Sequence, residues 1–158
     1  MDFSFFHSRF ATTGDDRPVL AIPEIGLKLR VRMTPGQSNG AMSIIETENA
    51  PGFGPPLHRH RETEIFRVLE GRYLYEIDSK RFYAEAGDVV TIPGGSAHAF
   101  RNESDKPARQ FIVICPALDA TGFFTGLGEV MRQGHPDTDA LNLFSRTWQV
   151  EFLGPPLK

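Results

Sequence analysis

Between Gly26 and Cys115 the chain is written in short apolar or alternating runs broken by turn residues, and this leaves room for little besides strands. Gly26-Leu-Lys-Leu-Arg-Val-Arg-Met33 alternates apolar and basic residues, the period of two that a half-buried strand requires. Ala41 to Thr47, Glu64 to Leu69, Arg72 to Ile77, Arg81 to Ala84, Asp88 to Ile92, His98 to Arg101 and Arg109 to Cys115 follow, each β-branched or aromatic in character. Thr34 to Gly40 and the Pro/Gly-rich Asn49 to Pro56 are loops by composition, Asp78-Ser79-Lys80 closes a hairpin, and Glu85-Ala86-Gly87-Asp88 makes a tight turn. Many short strands at this spacing predict an all-β sandwich or barrel rather than a βαβ fold.

The period changes after Pro116. Phe123, Phe124, Leu127, Val130 and Met131 fall on one helical face, with Asp119 or Thr121 as N-cap and Gly134-His135-Pro136 as the stop. Asp137 or Thr138 caps a second helix carrying Leu141, Phe144 and Trp148; both stripes are expected to face the core. Val150 to Leu153 and Pro155-Pro156 form an apolar tail that must lie on the body. At the other end Phe3, Phe5, Phe6 and Phe10 crowd one segment, which needs a surface to cover, either its own domain or a second subunit. The sequence therefore divides into an N-terminal arm (1–18), a strand domain (19–118) and a helical extension with its tail (119–158).

Charge excludes some functions. The 158 residues carry a net charge of −3. Arg59, Arg61, Arg67 and Arg72 are interleaved with Glu62, Glu64 and Glu70, so no nucleic-acid partner is expected. No apolar run approaches the roughly 18 residues of a membrane span. MDFSFFHSRF has neither the basic start nor the apolar core of a secretory signal, so a cytoplasmic location is expected. Cys115 ends an apolar run and is expected to be a small buried hydrophobe.

Three of the five histidines lie between Gly52 and Asn102. On an extended strand His58 and His60 leave the same face, and Glu62 and Glu64 share their parity. His98 comes from a later segment and joins them only if the sheet closes on itself. Three imidazoles and a carboxylate suit one divalent first-row ion (Fe, Mn, Co, Ni, Cu or Zn) with positions left open for substrate or oxygen. His7 and His135 read as surface residues.

The glycine and proline spacing around these residues is specific. Gly52, five residues, His58-x-His60, three residues, Glu64, six residues, Gly71 is followed after fifteen residues by Gly87, five residues, Pro93-x-Gly95, two residues, His98, three residues, Asn102. This resembles both motifs of the cupin superfamily, in particular small single-domain microbial cupins of the quercetin-dioxygenase-like kind. The resemblance implies a double-stranded β-helix, or jelly-roll β-barrel, followed here by the two short C-terminal helices. It implies His58, His60, Glu64 and His98 as metal ligands, with Glu64 also the residue able to act as a base. Glu62 is expected near the metal or facing solvent, and Asn102 is expected to close a turn.

Pro93-Gly94-Gly95 interrupts an apolar strand and re-aims the chain so that His98 points inward. About half of Phe53, Phe66, Tyr73, Tyr75, Phe82, Phe100 and Phe111 should face inward, most of them as core. Three functions are compatible with this reading. One is a metal-dependent dioxygenase acting on a small aromatic or enol substrate. Another is a non-redox isomerase, decarboxylase or lyase, which requires a cationic group in the pocket. The third is a module that holds a small ligand without turnover. A homodimer is expected by resemblance.

Overall fold

The computed structural model describes residues 10–13 and 18–158, and it arranges the expected strands as two facing sheets. The strands are β1 (Leu20–Ile22), β2 (Leu27–Met33), β3 (Ser43–Asn49), β4 (Pro56–His60), β5 (Thr63–Glu70), β6 (Arg72–Ile77), β7 (Lys80–Glu85), β8 (Val89–Ile92), β9 (His98–Asn102), β10 (Ala108–Cys115) and β11 (Val150–Pro156). One sheet runs β1-β2-β3-β10-β5-β8 and the other β11-β4-β9-β6-β7. The chain changes sheet between β3 and β4, again between β4 and β5, and again between β5 and β6. This repeated crossing between antiparallel sheets makes the jelly roll.

Alternation sets the two inner faces. Ser43, Ile45, Thr47 and Asn49 point inward from β3, and Ala108, Gln110, Ile112 and Ile114 from β10. Register aligns them in layers. Glu64 stands opposite Ile114, Phe66 opposite Ile112 and Val68 opposite Gln110. In the facing sheet His58 stands opposite His98, Tyr75 opposite Phe100 and Tyr73 opposite Asn102. Behind the histidine layer lies an aromatic one, in which the rings of Phe66, Tyr75 and Phe100 have centroids 5.6 to 5.7 Å apart.

A polar layer follows. Tyr73 Oη donates to Asn49 Oδ1 at 2.9 Å, and Tyr75 Oη donates to Gln110 Oε1. Burial pushes both phenols well above their ordinary pKa, so they remain neutral donors. Asn102 closes its turn as expected: its amide donates to the carbonyls of Asn49 and Lys106, and its Oδ1 accepts from Ser104 N–H.

The hairpin after β6 turns through Asp78 and Ser79, both at positive φ (48° and 67°). Gly94 and Gly95 shape the approach to β9. Gly95 sits at φ 88° and donates its N–H to the His60 carbonyl at 2.7 Å. A Cβ at Gly94 would come within 2.1 Å of the Arg61 carbonyl oxygen.

Helix α1 (Ala120–Arg132) is capped by Asp119, whose carboxylate accepts from Gly122 N–H, and α2 (Thr138–Ser145) by Asp137, which accepts from Ala140 N–H. Trp148 lies past the end of α2, in a 3-10 turn. The apolar tail is more than a covering segment. It forms β11 and pairs with β4, placing Val150 opposite His60 and Phe152 opposite His58.

Two expectations, on Cys115 and on the N-terminal arm, need correction or limit. Cys115 is half-buried rather than buried, because it lies at the end of β10 on the parity opposite Ile114. Of the seven aromatics, Phe66, Tyr73, Tyr75 and Phe100 are buried, in line with the expected half, while Phe53 and Phe82 are exposed and Phe111 lies on the outer parity of β10. Phe3, Phe5, Phe6 and His7 lie outside the described residues, so the arm's packing rests on its last part. There Phe10 is exposed, while the carbonyls of Thr12 and Thr13 accept from the Arg32 guanidinium. No helix among the described residues is long and apolar enough to cross a membrane.

Candidate metal centre

His58 and His60 leave the same face of β4, as their spacing requires, but Glu64 does not extend that strand. The chain bends at Arg61 and Glu62, crosses to the other sheet and starts β5 at Thr63. Glu64 therefore reaches the histidines from the facing sheet, and His98 reaches them from β9 beside β4. Equal parity along one strand was the wrong reason for the right convergence. The ligand atoms of His58, His60, Glu64 and His98 lie within 4.8 Å of one another. Metal–N and metal–O bonds of about 2.0–2.2 Å hold donor atoms at most about 4.4 Å apart, so the group needs only a slight contraction to close on one ion.

Each imidazole is anchored through Nδ1. His58 Nδ1 donates to the Pro56 carbonyl at 2.7 Å, His60 Nδ1 to the Glu62 carbonyl at 3.1 Å, and His98 Nδ1 to the Ser96 carbonyl at 2.9 Å. A carbonyl oxygen only accepts, so in each neutral ring Nδ1 holds the proton and Nε2 presents its lone pair. His98 Nε2 and His60 Nε2 lie 3.0 and 3.3 Å from Glu64 Oε2. Three nitrogen lone pairs and a carboxylate thus meet at one point. Acceptors gathered this way repel one another unless a proton or a metal cation sits among them.

The protonation energetics express the same demand. Burial, reinforced by the imidazoles of His98 and His60, drops His58 to about 3, so it stays neutral. Burial works against the proton on His60 as well. There the hydrogen bond to the Glu64 carboxylate prevails, with Glu62 adding to it, and the pKa is raised. Burial would raise Glu64, but its hydrogen bonds from His60 and His98 hold it well below the usual carboxylate range. A cation with more charge than one proton satisfies the group better.

Glu62 does not face solvent. It is buried, and its Oε2 lies 3.4 Å from His60 Nδ1. Arg59 and Arg61 point outward, Arg59 pairing with Glu151 at 2.8 Å. His135 is exposed.

The centre opens into an apolar cavity of about 110 Å³. Phe66, Phe100, Ile112 and Ile45 continue its wall from the sheets, and Phe123, Phe124, Leu127 and Met131 of α1 close it from outside. No Lys or Arg is among the described residues that line it. The stripe of α1 faces the core as expected, but its place over the cavity and the inward Thr47 were not specified by the sequence. The readable signal for Thr47 was a hydroxyl at an inward position of an alternating strand.

A family model for the cupin domain matches residues 46–115, which hold all four residues of the centre. The chain is a cupin. This cupin is 31% identical over 83 residues to the quercetin 2,3-dioxygenase of Bacillus subtilis, covering 51% of its own length and 25% of the relative's. It is 30% identical over 135 residues to the gentisate 1,2 dioxygenase 1 of Aquipseudomonas alcaligenes, covering 80% of its own length and 36% of the relative's. The cupin thus spans well under half the length of both dioxygenases. Its fold matches that of an RmlC-like cupin from Shewanella frigidimarina with a TM-score of 0.62 at 19% identity, over 70% of this chain and 94% of the other.

Proposed function

We propose that this chain is a mononuclear divalent-metal dioxygenase acting on a small aromatic or enol substrate, with His58, His60, Glu64 and His98 as the ligands. The observation that carries the reading is the meeting of four acceptors, three of them fixed by backbone carbonyls, at the end of an apolar cavity that α1 covers. A transition metal held there would supply Lewis acidity and a template that brings a substrate oxygen and O₂ together. The chain supplies the rest: Phe66, Phe100 and the α1 side chains exclude water, and Glu64 accepts the proton of the bound hydroxyl. Similarity to two dioxygenases of aromatic compounds supports the same class.

That no described residue lining the cavity is cationic disfavours the non-redox alternatives that would hold a carboxylate or phosphate. We infer a soluble homodimer, which sedimentation at micromolar concentration tests. The functional test is incubation of metal-loaded protein with flavonols and catechols, with and without oxygen. Oxygen uptake that depends on the bound metal is the expected result. Turnover indifferent to oxygen places the protein among non-redox enzymes, and binding without turnover makes it a ligand-holding module.

A further inference from the structure

The cavity has a second polar end that the metal centre does not use. Thr47 lines it, is 5% exposed, and its Oγ1 finds no hydrogen-bond partner among the described residues. Directly across the sheet from Thr47 stands Gln110, fully buried, whose Oε1 is taken by Tyr75 and so cannot also serve Thr47. A buried hydroxyl without a partner, facing a cavity, is uncommon in a native interior and calls for an explanation. Other polar residues of this layer are satisfied: Asn49 Oδ1 accepts from Tyr73, and the Asn102 amide donates to two carbonyls.

Position along the sheet shows what could satisfy the Thr47 hydroxyl. Glu64 stands opposite Ile114 on β10, whereas Thr47 stands opposite Gln110, four residues further along the same strand. At the rise of a β-strand that separates the two layers by about 14 Å. Between them the wall is Phe66, Ile112, Ile45 and Phe100, all apolar.

We propose that Thr47 is a ligand-binding residue of this cavity. It hydrogen-bonds the distal hydroxyl or carbonyl of an uncharged, elongated ligand of two or more rings whose other oxygen lies at the histidine–glutamate centre. A single ring does not reach both ends. Among the described residues a carboxylate at the distal end finds no positive charge. The proposal rests on the metal reading only for where the ligand's first oxygen sits.

The test is equilibrium titration of the metal-loaded protein, followed by fluorescence, with 3-hydroxyflavone and with 3,4′-dihydroxyflavone, which adds one distal hydroxyl. Wild type is expected to prefer the second about fivefold or more, the effect of one neutral hydrogen bond. Thr47→Val should erase that preference while leaving the affinity for 3-hydroxyflavone within about twofold, and Thr47→Ser should restore it. Because the hydroxyl has no protein partner, Thr47→Val should also melt no lower than wild type.

A preference that survives in Thr47→Val, no preference in wild type, or failure of both flavones to bind each overturns the proposal. A marked loss of thermal stability in Thr47→Val overturns it too, by showing a structural role for the hydroxyl. Oxygen uptake is measured on the same samples. Its absence alongside an intact, Thr47-dependent preference would contradict the dioxygenase reading and leave this proposal standing.

Discussion

His58 and His98 face each other as register partners on β4 and β9, their ring centroids 4.3 Å apart, and each donates Nδ1–H to the carbonyl two residues before it. The same local device therefore orients both rings, although they lie forty residues apart. A slip of one residue between these strands would turn one ring outward and dismantle the centre.

Metal-free protein should show the signature of His58 in its acid stability. Its folded pKa is about 3, below the ordinary 6.5. The unfolded chain thus binds the proton first, and this contribution to stability is lost as pH falls below 6.5, at up to about 1.4 kcal/mol per pH unit. His60 runs the other way: its pKa is raised, so its contribution is complete below the unfolded value and is lost as pH rises through the folded one. The two partly offset in wild type. Urea unfolding of wild type and His58→Gln at about pH 7.5 and about pH 5 separates them, and the variant should gain about 2 kcal/mol relative to wild type at the lower pH. An unchanged difference contradicts the buried neutral assignment.

Glu64→Gln keeps the shape of the side chain and removes the charge and the proton acceptor. With metal supplied in excess, substrate-dependent oxygen uptake should fall about 100-fold or more, the scale of a lost general base. Binding of the aromatic ligand should change only a few-fold. Equal loss of binding and turnover would show that Glu64 serves the ligand site as a whole.

Gly94→Ala tests the path of the chain into β9. The added Cβ meets the Arg61 carbonyl at 2.1 Å, and that contact is backbone, which cannot swing away. The variant should lose about 1–3 kcal/mol of stability, the range for overpacking. It should also lose metal affinity, because the displaced segments carry His60 and His98. Wild-type stability together with wild-type affinity would contradict this account of the loop.

How much of this was legible depends on which residues interact locally. The strands from Gly26 to Cys115 were readable because alternation and turn chemistry are local, and Asp78-Ser79 and Asp119 do in the structure what their side chains favour in isolation. The grouping of His58, His60, Glu64 and His98 was readable from motif spacing. Its cause was not, because the bend at Arg61 and Glu62 that sends Glu64 to the other sheet is a tertiary event. β11 was hidden for a related reason: Val150 to Pro156 contains Gly154, Pro155 and Pro156, and only pairing with β4 makes it a strand. The burial of Glu62 and the unpaired hydroxyl of Thr47 depend on partners from several strands, which no local pattern encodes.

The central claim is that these four side chains hold one metal ion. Its most direct test is elemental analysis of protein purified without added metal and then re-equilibrated with a single divalent transition ion, for wild type, His58→Ala and His98→Ala, each first shown to be folded by circular dichroism. Wild type should retain about one ion per chain after dialysis, and both variants should retain far less. Full retention in both variants would contradict the centre described for this cupin.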